Sequence, residues 1–111
     1  MIRVMAGLIL CVGIVTTATA AQGAKVAQGT KVYGDQKCAL CHSIGDKGNK
    51  KGPLDEVGSK LKADEIRAWI VDAKAMTAKV KPERKPEMKA YNLPKADVDA
   101  LVAYLTTLKK K

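Results

Sequence analysis

Five consecutive residues, Cys38-Ala39-Leu40-Cys41-His42, carry the side chains of this sequence best suited to covalent and metal chemistry. Their order is C-x-x-C-H. On a helical turn, positions i and i+3 share a face and i+4 lies beside them. Two thiols so placed reach the two vinyl groups of one porphyrin and form thioethers, while the imidazole addresses the iron from the same side. The motif therefore reads as an attachment site for a c-type haem, with Cys38 and Cys41 as tethers and His42 as proximal axial ligand. Two other chemistries use a C-x-x-C pair. A thioredoxin-like redox couple needs a βαβ context, and no such pattern surrounds these residues. A closed zinc site needs four ligands, and the chain has one histidine and no second C-x-x-C.

The histidine count also limits the sixth ligand. With His42 as the single histidine, a second imidazole from the same chain is impossible. The distal position falls to methionine, lysine, another weak donor or nothing. Met1 and Met5 belong to the N-terminal leader described next, which leaves Met76 and Met88. Met88 stands between two predicted helices in an extended stretch that can bring a thioether to the iron, and it is the expected ligand. Met76 reads as a core filler, the commoner use of methionine. An open sixth site is the remaining alternative. A His/Met pair raises the reduction potential and suits electron transfer.

The elements that position these residues begin after the leader. Arg3 is followed by an apolar run from Val4 to Val15 and by small residues from Thr16 to Ala21. Ala18-Thr19-Ala20 fits the small-x-small pattern of a secretory cleavage site. Residues 1–20 are read as a cleaved signal peptide and residues 21–111 as one domain. The apolar run is short for a membrane span, and an uncleaved anchor is the alternative. Cleavage would remove Cys11 and leave Cys38 and Cys41. Export and haem attachment support each other, because c-type haem is attached outside the bacterial cytoplasm. The expected location is the periplasm.

A domain of this length buries only about 60–65% of its unfolded surface and is marginal alone. It contains no Phe, one Trp and three Tyr, so a haem would supply the aromatic core that the chain lacks. Residues from about Lys25 to Ser43 are predicted helical in two pieces, bent near Gly34-Asp35. Val26, Gly29 and Tyr33 share one face. Gly29 is either a blemish costing about 1 kcal/mol or a close crossing with another helix, and the crossing is favoured. Ile44 to Gly58 reads as a loop. A backbone carbonyl near Pro53 is expected to hold the second ring nitrogen of His42, as metal-bound histidines require. The plainer reading of Gly52-Pro53-Leu54 is a turn.

Ala63 to about Ala75 is predicted as an amphipathic helix with Ile66, Trp69, Ile70 and Ala73 on one face. Trp69 is expected in the core, with its N–H available to a haem propionate. Met76 to Leu93 is predicted irregular, because Pro82 and Pro86 interrupt any helix. Pro94 to Lys110 is the last predicted helix, striped by Val98, Leu101, Val102, Leu105 and Leu108. No strand is predicted.

Taken together, these residues resemble the small monohaem class I cytochromes c of bacteria. The resemblance rests on Gly29 and Tyr33, Cys38 to His42, Gly52-Pro53-Leu54, Trp69, Met88 and Ala103-Tyr104-Leu105, and it spans nearly all of residues 21–111. It implies an all-α cytochrome c fold with the haem in its core. The first and last helices would cross, with Gly29 and Tyr33 meeting Leu101 and Tyr104. The chain departs from the family pattern in three places. The glycine–aromatic pair lies one residue farther from the first cysteine, Lys89 replaces the proline common after the ligand methionine, and Pro94 replaces the usual Ser or Asp cap.

The expected function is a periplasmic one-electron carrier with one covalent haem c and His42/Met88 ligation, not an enzyme. A ligand-binding or sensory haem protein, or an electron-transfer subunit of a larger oxidoreductase, is the alternative. A haem-free C-x-x-C redox protein is the third reading. The formal net charge of +9 predicts acidic redox-partner proteins and association rates that fall with salt. Nucleic acid is not an expected partner, because basic residues are not interleaved with aromatics. Membrane contact is expected only through redox partners, and the protein is expected to be a monomer.

Overall fold

The computed structural model describes residues 17–111. The predicted leader's charged start and apolar run lie outside the described residues. Five helices carry the fold: α1 (Thr17–Asp35), α2 (Val57–Lys60), α3 (Ala63–Val71), α4 (Ala73–Val80) and α5 (Lys95–Thr106). A 3₁₀ turn at Cys38–Leu40 and two short strands, β1 (Ser43–Ile44) and β2 (Lys47–Gly48), lie between α1 and α2. The strands pair antiparallel, Ser43 opposite Gly48. Among the described residues no helix is long and apolar enough to cross a membrane.

Helices α1 and α5 cross at Gly29. A β-carbon there would overlap the Ala100 carbonyl oxygen and lie 2.7 Å from the Tyr104 β-carbon, so only glycine permits this approach. One turn on, the Tyr33 and Tyr104 rings meet edge to face at 6.0 Å. Gln28 Nε2 donates to Asp97 Oδ1 at 2.9 Å and ties the same two helices. The Gly29 crossing expected from the sequence is present, but the glycine meets Ala100 and Tyr104.

The core lies beside that crossing. Val32 of α1, Ile66 and Ile70 of α3, and Val98, Leu101, Val102 and Leu105 of α5 are buried together. Each such side chain contributes about 1.5–3 kcal/mol on leaving water. Helix α3 starts with Asp64 and Glu65 in its first turn, where the dipole favours negative charge. Glu65 Oε1 accepts from the Lys62 backbone N–H at 3.1 Å, one half of a capping box. Arg67 Nη2 reaches Asp99 Oδ1 at 2.5 Å and joins α3 to α5.

Four boundaries differ from the sequence reading. The first helix begins by Thr17 and runs unbroken through Gly34. The chain turns instead at Lys37, whose φ of 57° and ψ of 39° are left-handed. Two strands stand where a loop was predicted, because the N–H and C=O groups of residues 43–48 find partners across a tight turn closed by Gly45 and Gly48, both at positive φ. The predicted helix over Ala63–Ala75 breaks at Asp72 (φ −143°), and α4 then occupies part of the stretch predicted irregular. It ends at Lys81, left-handed at φ 53°, just before Pro82. Pro94 precedes the last helix, which stops at Thr106 because Leu108 turns its carbonyl to the Gly58 N–H at 2.7 Å.

Candidate functional site

The Cys38–His42 segment is a single tight turn rather than part of a regular α-helix. The Cys41 and His42 backbone N–H groups both donate to the Cys38 carbonyl, at 3.1 and 2.9 Å. In a 3₁₀ turn, residues i and i+3 eclipse, so Cys38 and Cys41 still share a face. The β2 end packs beneath this turn. The Asn49 backbone N–H donates to the carbonyls of Ala39 and His42 at 3.0 and 2.9 Å, and Asn49 Nδ2 donates to the Leu40 carbonyl at 3.1 Å. The short hairpin thus fixes the turn.

His42 is oriented by its backbone surroundings. Its Nδ1–H donates to the Gly52 carbonyl at 3.0 Å. A carbonyl only accepts, so Nδ1 bears the proton and Nε2 keeps its lone pair. Burial pushes the imidazole pKa down, the bond to Gly52 opposes this, and the Arg84 charge adds to the lowering. The ring is therefore neutral near pH 7, the form that ligates a metal. The accepting carbonyl is that of Gly52, next to Pro53, where a carbonyl was expected. An isolated parallel bridge between Ser43 and Pro53 holds the two segments side by side, and Ser43 is among the most buried residues, 2% exposed.

Both described cysteines are free thiols. Burial pushes the Cys38 pKa up, with its backbone hydrogen bond opposing. That is the reverse of the lowered pKa that activates a thioredoxin-like nucleophile.

These side chains converge on one cavity of about 540 Å³, within the range of about 300–1,000 Å³ typical of small-molecule and cofactor sites. Cys38, Cys41 and His42 line one part of its wall. Leu54, Ile66, Ile70, Leu101 and Leu105 line the floor. Met88 lines it from the segment between α4 and α5. Met76 does not reach it. Met76 lines a separate hollow of about 360 Å³ with Pro53, Lys60, Glu65 and Val80, which shares Val57, Leu61 and Trp69 with the larger cavity. Trp69 is half-buried between the two. The structure therefore brings together the four site residues expected from the sequence and leaves Met76 apart.

The sequence model of the family described as Cytochrome c matches residues 26–109. The chain belongs to the cytochrome c family. It is a small c-type cytochrome of all-α fold that binds a covalent c-type haem with its iron, and the family's chemistry is electron transfer. No curated protein and no solved structure matches the chain. The residues of this cytochrome fit the group. The cavity is mainly apolar, two free thiols and an imidazole with a free Nε2 share one stretch of its wall, and a thioether stands in the same cavity.

Two wall residues were not read as site residues from the sequence. Tyr33 was assigned to the helix crossing, yet it also lines the cavity, and its hydroxyl is buried without a hydrogen-bond partner. The Tyr33 phenol is pushed up to about 12, first by burial, then by Cys38, Tyr104 and Asp55. Arg84 also lines the cavity. In the sequence it is one charge among many in a Lys-, Glu- and Pro-rich stretch, and no spacing distinguishes it.

Proposed function

We propose that this cytochrome is a periplasmic one-electron carrier, not an enzyme, with His42 and Met88 as its axial pair. The observation that carries the reading is that His42 and Met88 line the same apolar cavity whereas Met76 does not. A bound haem would supply an iron able to cycle between Fe(III) and Fe(II), and His42 and Met88 would hold it as a donor pair that raises its potential. Cys38 and Cys41 would tether the group. The Gly52 carbonyl holds the His42 ring in the ligating tautomer. Leu54, Ile66, Ile70, Leu101 and Leu105 exclude water from the cavity, which disfavours the more highly charged oxidised state.

The surroundings of the turn support docking to an acidic protein. Cys41 is exposed and Leu40 is 71% exposed. Lys37, Lys47, Lys50 and Lys51 are exposed on the turn and on the hairpin that packs beneath it. Export rests on the leader-like residues 1–20, and the monomeric state on the size of the domain.

A second reading, a haem protein with a displaceable sixth ligand, has one observation in its favour. Among the described residues, no backbone hydrogen bond ties residues 82–90 to the body of the protein. Carbon monoxide separates the two readings. The reduced, haem-loaded protein is expected to show a c-type optical spectrum unchanged by the gas. A prompt spectral shift would establish an open or labile sixth position and overturn the carrier reading.

A further inference from the structure

The segment that carries Met88 needs an anchor. Its backbone is fastened at Lys81, whose N–H donates to the Thr77 carbonyl at 2.8 Å, and at Tyr91, whose N–H donates to the Ile70 carbonyl at 2.8 Å. Between them, the side-chain ion pair within the segment, Lys85 to Glu87 at 3.0 Å, is local. Lys89 lies over the Tyr91 ring at 5.1 Å, also within the segment. Neither contact ties Met88 to the wall that bears His42.

Arg84 reaches that wall. A β-carbon on Gly52 would overlap Arg84 Nη1 and lie 2.8 Å from Arg84 Cζ. The guanidinium, with Nη1 nearest, therefore lies beside the Gly52 α-carbon. Gly52 is the residue whose carbonyl holds His42 Nδ1. The same missing side chain leaves room for the Cys41 carbonyl, so glycine at position 52 admits both neighbours at once. Arg84 is half-buried, and among the described residues no carboxylate pairs with it. An arginine at an apolar cavity without an acidic partner is not accounted for by a surface ion pair. Its position is accounted for by what it touches.

We propose that Arg84 is a positioning residue that fastens the Met88 segment to the His42–Gly52 segment, bridging the two walls of the cavity. This rests on the reading of His42 and Met88 as the axial pair. The guanidinium is more weakly hydrated than an ammonium, so it loses less on leaving water to sit beside Gly52. By holding position 84 against Gly52, it limits how far Met88, four residues on, can swing from the cavity. Its fixed positive charge beside the His42–Gly52 bond also favours the reduced, less positive iron.

The test compares Arg84→Gln and Arg84→Lys with the wild type as haem-loaded proteins. The readouts are the methionine–iron charge-transfer band, the reduction potential, and imidazole binding to the oxidised protein. In Arg84→Gln, the potential is expected to fall and imidazole to bind about tenfold tighter, as a fastening worth about 1.4 kcal/mol is lost. Arg84→Lys keeps the charge but not the guanidinium contact with Gly52. It should restore most of the potential while binding imidazole nearly as tightly as Arg84→Gln. If Arg84→Gln matches the wild type in both potential and imidazole affinity, with the band present throughout, the role of Arg84 is overturned and the axial pair stands. A fall in potential with unchanged imidazole affinity would leave only a charge effect and overturn the fastening. A wild type without the band would overturn the axial pair, and the role of Arg84 with it.

Discussion

The two sides of this small protein are held together in different ways. On one side, α1 and α5 cross so closely at Gly29 that backbone meets backbone, and Val32, Val98 and Val102 are buried around them. That side is held by the chain's own packing. On the other side, residues 82–90 form the wall that carries Met88 with no helix, no strand and no backbone hydrogen bond to the rest of the described structure. That side is held by side chains directed at the cavity. On the proposed ligation, stability and redox tuning are expected to be separable. Changes at the crossing should alter unfolding and spare the iron, and changes at the Met88 wall should do the reverse.

The largest expected effect comes from the wall. Met88→Ala should lower the reduction potential and open the iron. Imidazole binding to the oxidised protein should then tighten by about a hundredfold, or about 2.8 kcal/mol, because the competing ligand is gone. Met76→Ala, in the other hollow, should change neither. A spectroelectrochemical titration of both variants checks this, and the opposite pattern would replace Met88 by Met76 as the ligand.

The crossing offers the next effect, with a sign that decides between two readings of one glycine. An exposed helical glycine gains about 1 kcal/mol on replacement by alanine. Gly29→Ala instead drives a β-carbon into Ala100 and Tyr104, and overpacking of this kind costs about 1–3 kcal/mol. Denaturant unfolding should show a lower midpoint for Gly29→Ala with an unchanged reduction potential. A stabilised Gly29→Ala would show that the helices separate in solution, and the contrast between the two sides would fail.

The smallest effect sharpens the boundary, because Tyr33 belongs to both regions. Burial in the folded chain pushes the Tyr33 phenol up to about 12, from the ordinary tyrosine value of 10.0. Between those values the folded state binds more protons than the unfolded state. The stabilisation is therefore complete below pH 10 and is lost as pH rises toward 12. Burial, the first cause, persists once Cys38 is a thioether, although the charge of Cys38 does not. Tyr33→Phe should lose less stability than the wild type between pH 9 and pH 12, with Tyr91 and Tyr104 supplying the remainder. Equal alkaline losses in the two proteins would place the Tyr33 hydroxyl in water.

Much of the fold was legible because it follows from local rules. The apolar stripe of α5, the acidic first turn of α3 and the glycine that permits a close crossing each declare themselves through spacing or residue type. The errors fall where a long-range partner overrules local preference. The hairpin at residues 43–48 pairs across its own turn and is held against the Cys38–His42 turn by Asn49, whose N–H donates to the Ala39 and His42 carbonyls. The last helix ends early because Gly58 captures the carbonyl of Leu108. The split at Asp72 separates a helix whose pattern reads as continuous.

The sequence by itself determined the chemistry of this protein. C-x-x-C-H places two thiols and an imidazole within one turn whatever surrounds them, and a single histidine excludes a second imidazole from the same chain. Only the tertiary structure decided which methionine shares the cavity with His42, which carbonyl orients its ring, and which cation lies beside it. Met76 and Met88 are alike as side chains, and Arg84 is 32 residues from Gly52 along the chain. The place of Met88 between two helices already pointed to it in the sequence, but the cavity it shares with His42 and the approach of Arg84 to Gly52 depend on distances that only the folded backbone sets.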